Sequence, residues 1–142
     1  MRFFLVILAV LFSFCACDTN RIHKVDISNI DVNFEVKRFD VDFYTSEKES
    51  LQELKIKYPY FFPIEITDSI SVSKMSNKDE QELFTETQEI YQDISPLKEE
   101  LTSLFKHVKY YNSKFIAPDV ITMLTNIDYE SRVIYADSLL II

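Results

Sequence analysis

Asp31-Val32-Asn33-Phe34-Glu35-Val36-Lys37-Arg38-Phe39-Asp40-Val41-Asp42-Phe43 is the stretch on which the fold turns. Polar and apolar residues alternate strictly from Asp31 to Lys37, which places Val32, Phe34 and Val36 on one face of a strand. Phe39, Val41 and Phe43 keep the spacing of two but fall on odd positions. The spacing therefore predicts a continued strand with a bulge or turn near Arg38, the device that would bring both sets to one core.

Downstream the periodicity becomes helical. Ser46-Glu47-Lys48-Glu49 reads as a capping box, with the Ser46 hydroxyl and Glu49 carboxylate each satisfying a free backbone donor. The helix it opens runs to about Lys57, buries Leu51 and Leu54, and is stopped by Pro59. Ser76-Asn77-Lys78-Asp79 caps a second helix with apolar positions Leu83, Ile90, Tyr91 and Ile94. Ser95 caps a third, with Pro96 at the first helical position where its missing N–H costs nothing. In that helix Leu97, Leu101, Leu104, Phe105 and Val108 recur at intervals of three and four, the clearest amphipathic pattern in the chain. The second and third helices are expected to pack as a hairpin. Val120–Leu124 and Arg132–Ala136 favour strands, and Asn126-Ile127-Asp128-Tyr129 supplies turn chemistry between them. Arg132 and Asp137 flank the latter strand as a candidate structural ion pair. The closing run Ser138-Leu139-Leu140-Ile141-Ile142 is apolar to its last residue and reads as a buried element of a chain that continues. The fold expected is α+β, short strands with a helical hairpin, as the N-terminal portion of a larger domain.

Upstream, Met1-Arg2 precedes an unbroken apolar run from Phe3 to Phe12, then Ser13-Phe14-Cys15-Ala16-Cys17 and an abrupt change to Asp18-Thr19-Asn20. This has the form of a secretory signal. The uncharged run from Phe3 to Cys17 falls short of the roughly twenty residues a spanning helix needs. Small Ala16 before Cys17 fits a lipoprotein cleavage site better than bulky Phe14 before Cys15. Residues 1–16 are thus expected to be a signal peptide and Cys17 the lipidated residue. Residues 17–30 would be a tether and residues 31–142 the folded domain. Each buried acyl methylene contributes about 0.8 kcal/mol, so two or three chains on one cysteine anchor the protein to a membrane permanently. A Cys15–Cys17 disulfide is disfavoured by geometry.

Composition narrows the chemistry. The 142 residues carry 15 Lys+Arg against 23 Asp+Glu, a net charge of −8, which excludes nucleic acid as an expected partner. There is no glycine, although average usage of about 7% would supply roughly ten. Phosphate-cradling loops, dinucleotide fingerprints and glycine-flanked nucleophile elbows are thereby excluded. Two histidines and two cysteines, the latter both within the first seventeen residues, assemble no zinc site of standard spacing. No cofactor, metal site or catalytic group is expected in these residues, and the chain is read as a non-enzyme.

Individual candidates agree with that reading. His107 sits in the last turn of the third helix, where a cation complements the helix dipole, and His23 lies in the tether. Asp79, Glu80, Glu82, Glu86 and Glu89 read as a solvated face suited to a helix start. Tyr58-Pro59-Tyr60-Phe61-Phe62-Pro63 is the densest aromatic stretch. It is either a satellite cluster over the core or a partner-binding patch formed by Tyr58, Tyr60, Phe61 and Phe62. As a patch, Tyr60 and Phe61 would be replaceable by Ser with little loss of stability.

Several strings together resemble the gliding motility lipoprotein GldB family of Bacteroidetes. They are Phe34 to Asp40 ending in Lys-Arg-Phe-Asp, Lys57-Tyr-Pro-Tyr-Phe-Phe-Pro63, Leu104-Phe-Lys-His-Val-Lys-Tyr-Tyr111, and Asp128-Tyr-Glu-Ser-Arg-Val-Ile-Tyr-Ala-Asp-Ser-Leu-Leu-Ile141. The resemblance implies an envelope lipoprotein needed for movement over surfaces, palmitate-labelled at Cys17, in contact with other envelope proteins of the gliding machinery. Members of that family are longer than this chain and remotely similar to predicted zinc peptidases. A metallopeptidase half beyond residue 142 is the alternative this implies. Only Cys17 inherits a role, and the choice between inner and outer membrane stays open.

Overall fold

The computed structural model describes residues 25–125 and 132–142. The signal, Cys15, Cys17, His23 and the turn at Asn126-Ile127-Asp128-Tyr129 therefore lie outside the described residues. The described elements are five α-helices and four short strands. They run β1 (Val36–Arg38), α1 (Phe39–Thr45), α2 (Leu51–Lys57), α3 (Asp68–Met75), α4 (Lys78–Tyr91), α5 (Ser95–Tyr111), β2 (Asp119–Thr122), β3 (Ile134–Ala136) and β4 (Leu139–Ile141). The α+β expectation holds, and the strands form one mixed sheet in the order β1-β2-β4-β3. β1 and β4 both run parallel to β2, and β3 is antiparallel to β4.

Register places Val36, Val120, Leu140 and Tyr135 in one row across the four strands. Strand side chains alternate between faces, and directly opposed residues share one. Val36, Val120 and Leu140 accordingly pack with Leu101 and Phe105 of α5. Ile121 and Leu139 belong to a second cluster with Phe39, Phe43, Leu51, Leu54 and Phe84. Helices α1, α2 and α4 thus cover one face of the sheet and α5 the other. This corrects the expected hairpin: α4 and α5 lie on opposite faces, and the chain between them crosses the sheet's edge. The misleading signal was the apolar stripe assigned to α4, since Phe84 is its buried residue whereas Ile90 is 74% exposed.

The opening stretch divides. Val32, Phe34 and Val36 do share one face and pack under α5, with the Phe34 and Phe105 rings 4.9 Å apart edge to face. The ladder itself begins at Val36, however. One residue earlier the Glu35 N–H donates to the Asp119 carboxylate at 3.1 Å, while the Val120 N–H donates to the Glu35 carbonyl at 2.8 Å.

From Phe39 onward the predicted strand is a helix. Phe39 and Phe43 are four apart, a spacing that serves a helical face as well as a strand face. Asp40 and Asp42 in the first turn complement the positive helix start. Tyr44, the next buried residue, fits the helix and not the strand.

The capping box does not form. The Ser46 hydroxyl instead donates back to the Asp42 carbonyl at the end of α1, and a 3-10 turn at Lys48–Ser50 leads into α2 without a side-chain cap. Of the two other starts read from the sequence, α4 has a side-chain cap and α5, where Ser95 was expected to cap, has none from its N-cap residue. Asn77 accepts from the N–H groups of Asp79 and Glu80. At α5 the donor satisfied is that of Ser95 itself, by the Asp93 carboxylate at 2.8 Å, with Pro96 in the first turn. Helix α3, to which the sequence pattern assigned nothing, is capped by Thr67.

The closing run is strand β4, inserted between β2 and β3. Its hairpin turn is Asp137-Ser138, with φ of 50° and 66°. Both central residues of a two-residue hairpin loop of this hand need positive φ. In a chain without glycine, Asp is among the residues that tolerate that region, because its short polar side chain bonds locally.

Candidate functional site

The aromatic stretch is drawn into the core unevenly. Tyr58 closes α2 and is 1% exposed, Phe61 and Phe62 are half-buried, and Tyr60 is 65% exposed. Phe39 organises the group, its ring lying 5.0 Å from Tyr58, 4.4 Å from Phe61 and 6.1 Å from Phe62. Such pairs add about 0.5–1.5 kcal/mol each beyond burial. The Tyr58 hydroxyl donates to Asp42 at 2.5 Å, and Lys57 reaches the same carboxylate. Burial, and then the hydrogen bond and charge of Asp42, push the Tyr58 hydroxyl well above the usual phenol range.

Tyr58 is therefore a core residue, and Phe61 packs on the Phe39 ring. Phe61, Phe62 and Tyr60 instead line one side of an open groove of about 440 Å³ whose other walls include Phe43, Ile66 and Ile70. Tyr44 borders it, donating to Glu80 at 2.6 Å, and Glu80 also binds Lys74 at 2.8 Å. Within the acidic run, Glu80 is thus a structural acceptor, while Asp79, Glu82, Glu86 and Glu89 are exposed.

A second cavity lies at the carboxyl ends of β1, β2 and β4, and it was not foreseen. Arg38 ends β1, and Asp40 follows in the first turn of α1 with only 4% of its surface exposed. The guanidinium forks onto the Asp40 carboxylate, Nε to Oδ1 at 2.9 Å and NH2 to Oδ2 at 2.6 Å. It also donates to the Gln88 side chain and the Tyr91 carbonyl, both at 2.9 Å. Asp40 additionally accepts from the Thr122 hydroxyl and from Gln88 Nε2.

Burial alone would raise the Asp40 carboxyl. The hydrogen bonds from Arg38 and Thr122, the Arg38 charge and the Gln88 bond outweigh it and hold the group below its ordinary value. Beside this pair is a cavity of about 340 Å³, walled mainly by Ile94, Leu97, Met123, Leu124 and Ile142. Its origin is topological: α4 and α5 leave the sheet on opposite faces, and a crevice opens beneath their connection, at the carboxyl edge of parallel strands where ligands bind in open α/β sheets. Met123 and Leu124 line both cavities and separate them.

One sign of this cluster lay in the sequence. Lys-Arg-Phe-Asp was among the strings that carried the family resemblance, but a strand reading would have put Arg38 and Asp40 on the same face without showing Gln88 or Thr122 beside them. His107 donates from Nδ1 to the Ser103 carbonyl within α5 at 2.7 Å. Among the described residues no group of three or more His, Cys, Asp or Glu side chains is placed to hold a metal ion, and no helix is long and apolar enough to cross a membrane.

The architecture is a mixed-sheet α+β domain with two largely apolar cavities flanking the carboxyl end of its central strand β2. A family model described as gliding motility protein GldB matches residues 20–142, and the chain belongs to that family. No curated protein and no solved structure matches it.

Proposed function

We propose that this gliding motility protein works as a lipid-anchored, non-catalytic component of the cell envelope, held to a membrane by acyl chains on Cys17 and acting by contact with other envelope proteins of the gliding machinery. The observation that carries the reading is the family match over residues 20–142, which opens just past Cys17. The signal-like run ending in Ala16-Cys17 supports the anchor. The aromatic groove supports the contact: Tyr60 stands in solvent at its rim while Phe61 and Phe62 are fixed against Phe39, an anchor-and-pocket arrangement of the kind that dominates interface energetics. A metallopeptidase half beyond residue 142 draws on no observation of the described residues, and a His-Glu-x-x-His helix in the downstream coding sequence would be its sign.

The test is complementation of a deletion strain with the unmutated protein and with Cys17→Ala, scoring colony spreading and incorporation of radioactive palmitate. The unmutated protein is expected to carry label and restore spreading, and Cys17→Ala to do neither while still accumulating. Unlabelled wild-type protein, or full spreading by Cys17→Ala, would overturn the anchor.

A further inference from the structure

Residues 101–118 hold Lys106, Lys109 and Lys114 and no carboxylate, in a chain whose net charge is −8. They form most of α5 and the loop that leads to β2. Leu101 and Phe105 turn into the core, so helical spacing sends Leu104, Tyr110 and Tyr111 the other way. These three are 53%, 51% and 74% exposed, and the two tyrosine rings meet edge to face at 5.1 Å. In the loop, the Phe115 ring packs 5.8 Å from Phe105, while Lys114 and Ile116 on either side of it are exposed. Among the described residues neither Lys106 nor Lys114 enters an ion pair. An acidic protein thus carries one basic, tyrosine-rich and partly apolar face.

The same end of α5 receives the chain from its amino terminus. Phe34 meets Phe105, and three residues earlier the Asp31 carbonyl accepts from Lys109 Nζ at 2.8 Å. We propose that this face rests on the bilayer that holds the acyl chains, with Lys106 and Lys114 against anionic phospholipid. The inference relies on the anchoring proposed above. Residues 17–30 span at most about 50 Å when fully extended, and they join the domain beside the last turn of α5, so the anchor holds this end within reach of the membrane. The side chains suit that surface: tyrosine sits with its ring in the apolar boundary and its hydroxyl in the headgroups. Lysine lays its stem along apolar surface and keeps its ammonium among phosphates, and each lysine there favours contact about fivefold.

The test uses the full-length lipidated protein in vesicles of phosphatidylcholine and phosphatidylglycerol at about 7:3, with a phosphatidylcholine spin-labelled near the top of its acyl chain. A fluorophore goes on Ser113→Cys, exposed just past α5, or on Thr85→Cys, exposed on α4 across the sheet. The chain's own cysteines precede the domain, Cys15 leaving with the signal and the Cys17 thiol being acylated, so the new thiol is the labelling site. Quenching at position 113 is expected to be about threefold that at position 85. Lys106→Glu with Lys114→Glu should bring the two positions within about 1.5-fold while the melting curve is kept, and omitting phosphatidylglycerol should cut the excess about twofold in the unsubstituted background. Equal quenching at the two positions, or an excess that survives both loss of phosphatidylglycerol and reversal of the lysines, overturns the contact. Flotation with the vesicles reads the anchor separately. Protein that floats but is quenched equally refutes the contact and leaves the anchor standing, and protein that does not float refutes both.

Discussion

Val120 and Tyr135 lie in the same row of one sheet, on either side of Leu140, yet Val120 is completely buried under α5 and Tyr135 stands mostly in solvent. The difference follows chain order. All five described helices fall between β1 and β2 in sequence, and a parallel β1–β2 connection must pack back onto the strands it joins. Cover is therefore delivered to β1 and β2 on both faces, while β3 and β4 come after the last described helix. Leu139, Leu140 and Ile141 are only partly buried as a result, although an apolar run without alternation is the composition of a strand covered on both faces. Among the described residues, one half of the sheet is a packed core and the other is not covered.

The largest effect should come from the packed half. Phe39 touches four other aromatic rings. Phe39→Ala removes the centre of that group and is expected to cost about 3–5 kcal/mol of unfolding free energy, read as a lower urea midpoint with unchanged slope. A loss under about 1 kcal/mol would mean that the groove collapses onto the gap and that the core is far more plastic than its ring geometry indicates.

The ion pair at the carboxyl ends of the strands comes next. Asp40→Ala leaves the Arg38 guanidinium partly buried without its carboxylate, and breaking such pairs costs about 3 kcal/mol. Combining it with Arg38→Met should recover most of that loss, since no unpaired charge then remains. The same residue has a pH signature. The folded-state value of Asp40 is depressed, so its stabilisation is complete above the unfolded value of about 3.9 and disappears as pH falls through the folded value. Asp119, held down first by the Glu35 N–H and further by Lys37, has the same sign. Acid titration of stability in wild type and Asp40→Ala should therefore begin to converge below about pH 4 and meet only below the folded-state value of Asp40. A constant offset down to the lowest pH would show that the cost of the substitution is packing, not charge.

Both halves of the sheet were partly legible in the sequence, and the errors have physical causes. Val32, Phe34 and Val36 were read onto one face correctly, because strict alternation over seven residues fits no helix, although only Val36 lies in the ladder. Phe39 and Phe43 misled because positions four apart satisfy both periods, and what separates them, the burial of Asp40, depends on Arg38, Gln88 and Thr122 arriving from three elements. Leu101 and Phe105 were found from helical spacing, but which face of the sheet α5 would take has no local signature. That choice decided against the hairpin and opened the crevice. Within the aromatic stretch, composition could mark a cluster but not sort Tyr58 from Tyr60, because the sorting is done by Asp42 and Phe39 after the chain has folded. Helix α3 carries too weak an apolar pattern to announce itself, and only its Thr67 cap is a local sign.

The smallest effect should belong to the uncovered half, and it is the sharpest test of the contrast. Tyr135→Ser removes a ring that no described helix covers, so the isolated domain should lose no more than about 0.5 kcal/mol, an order less than Phe39→Ala. If stability instead fell by more than about 2 kcal/mol, Tyr135 would be packed in solution. The sheet would then be covered to its β3 edge, and the division between core and surface drawn from the order of the helices would not hold.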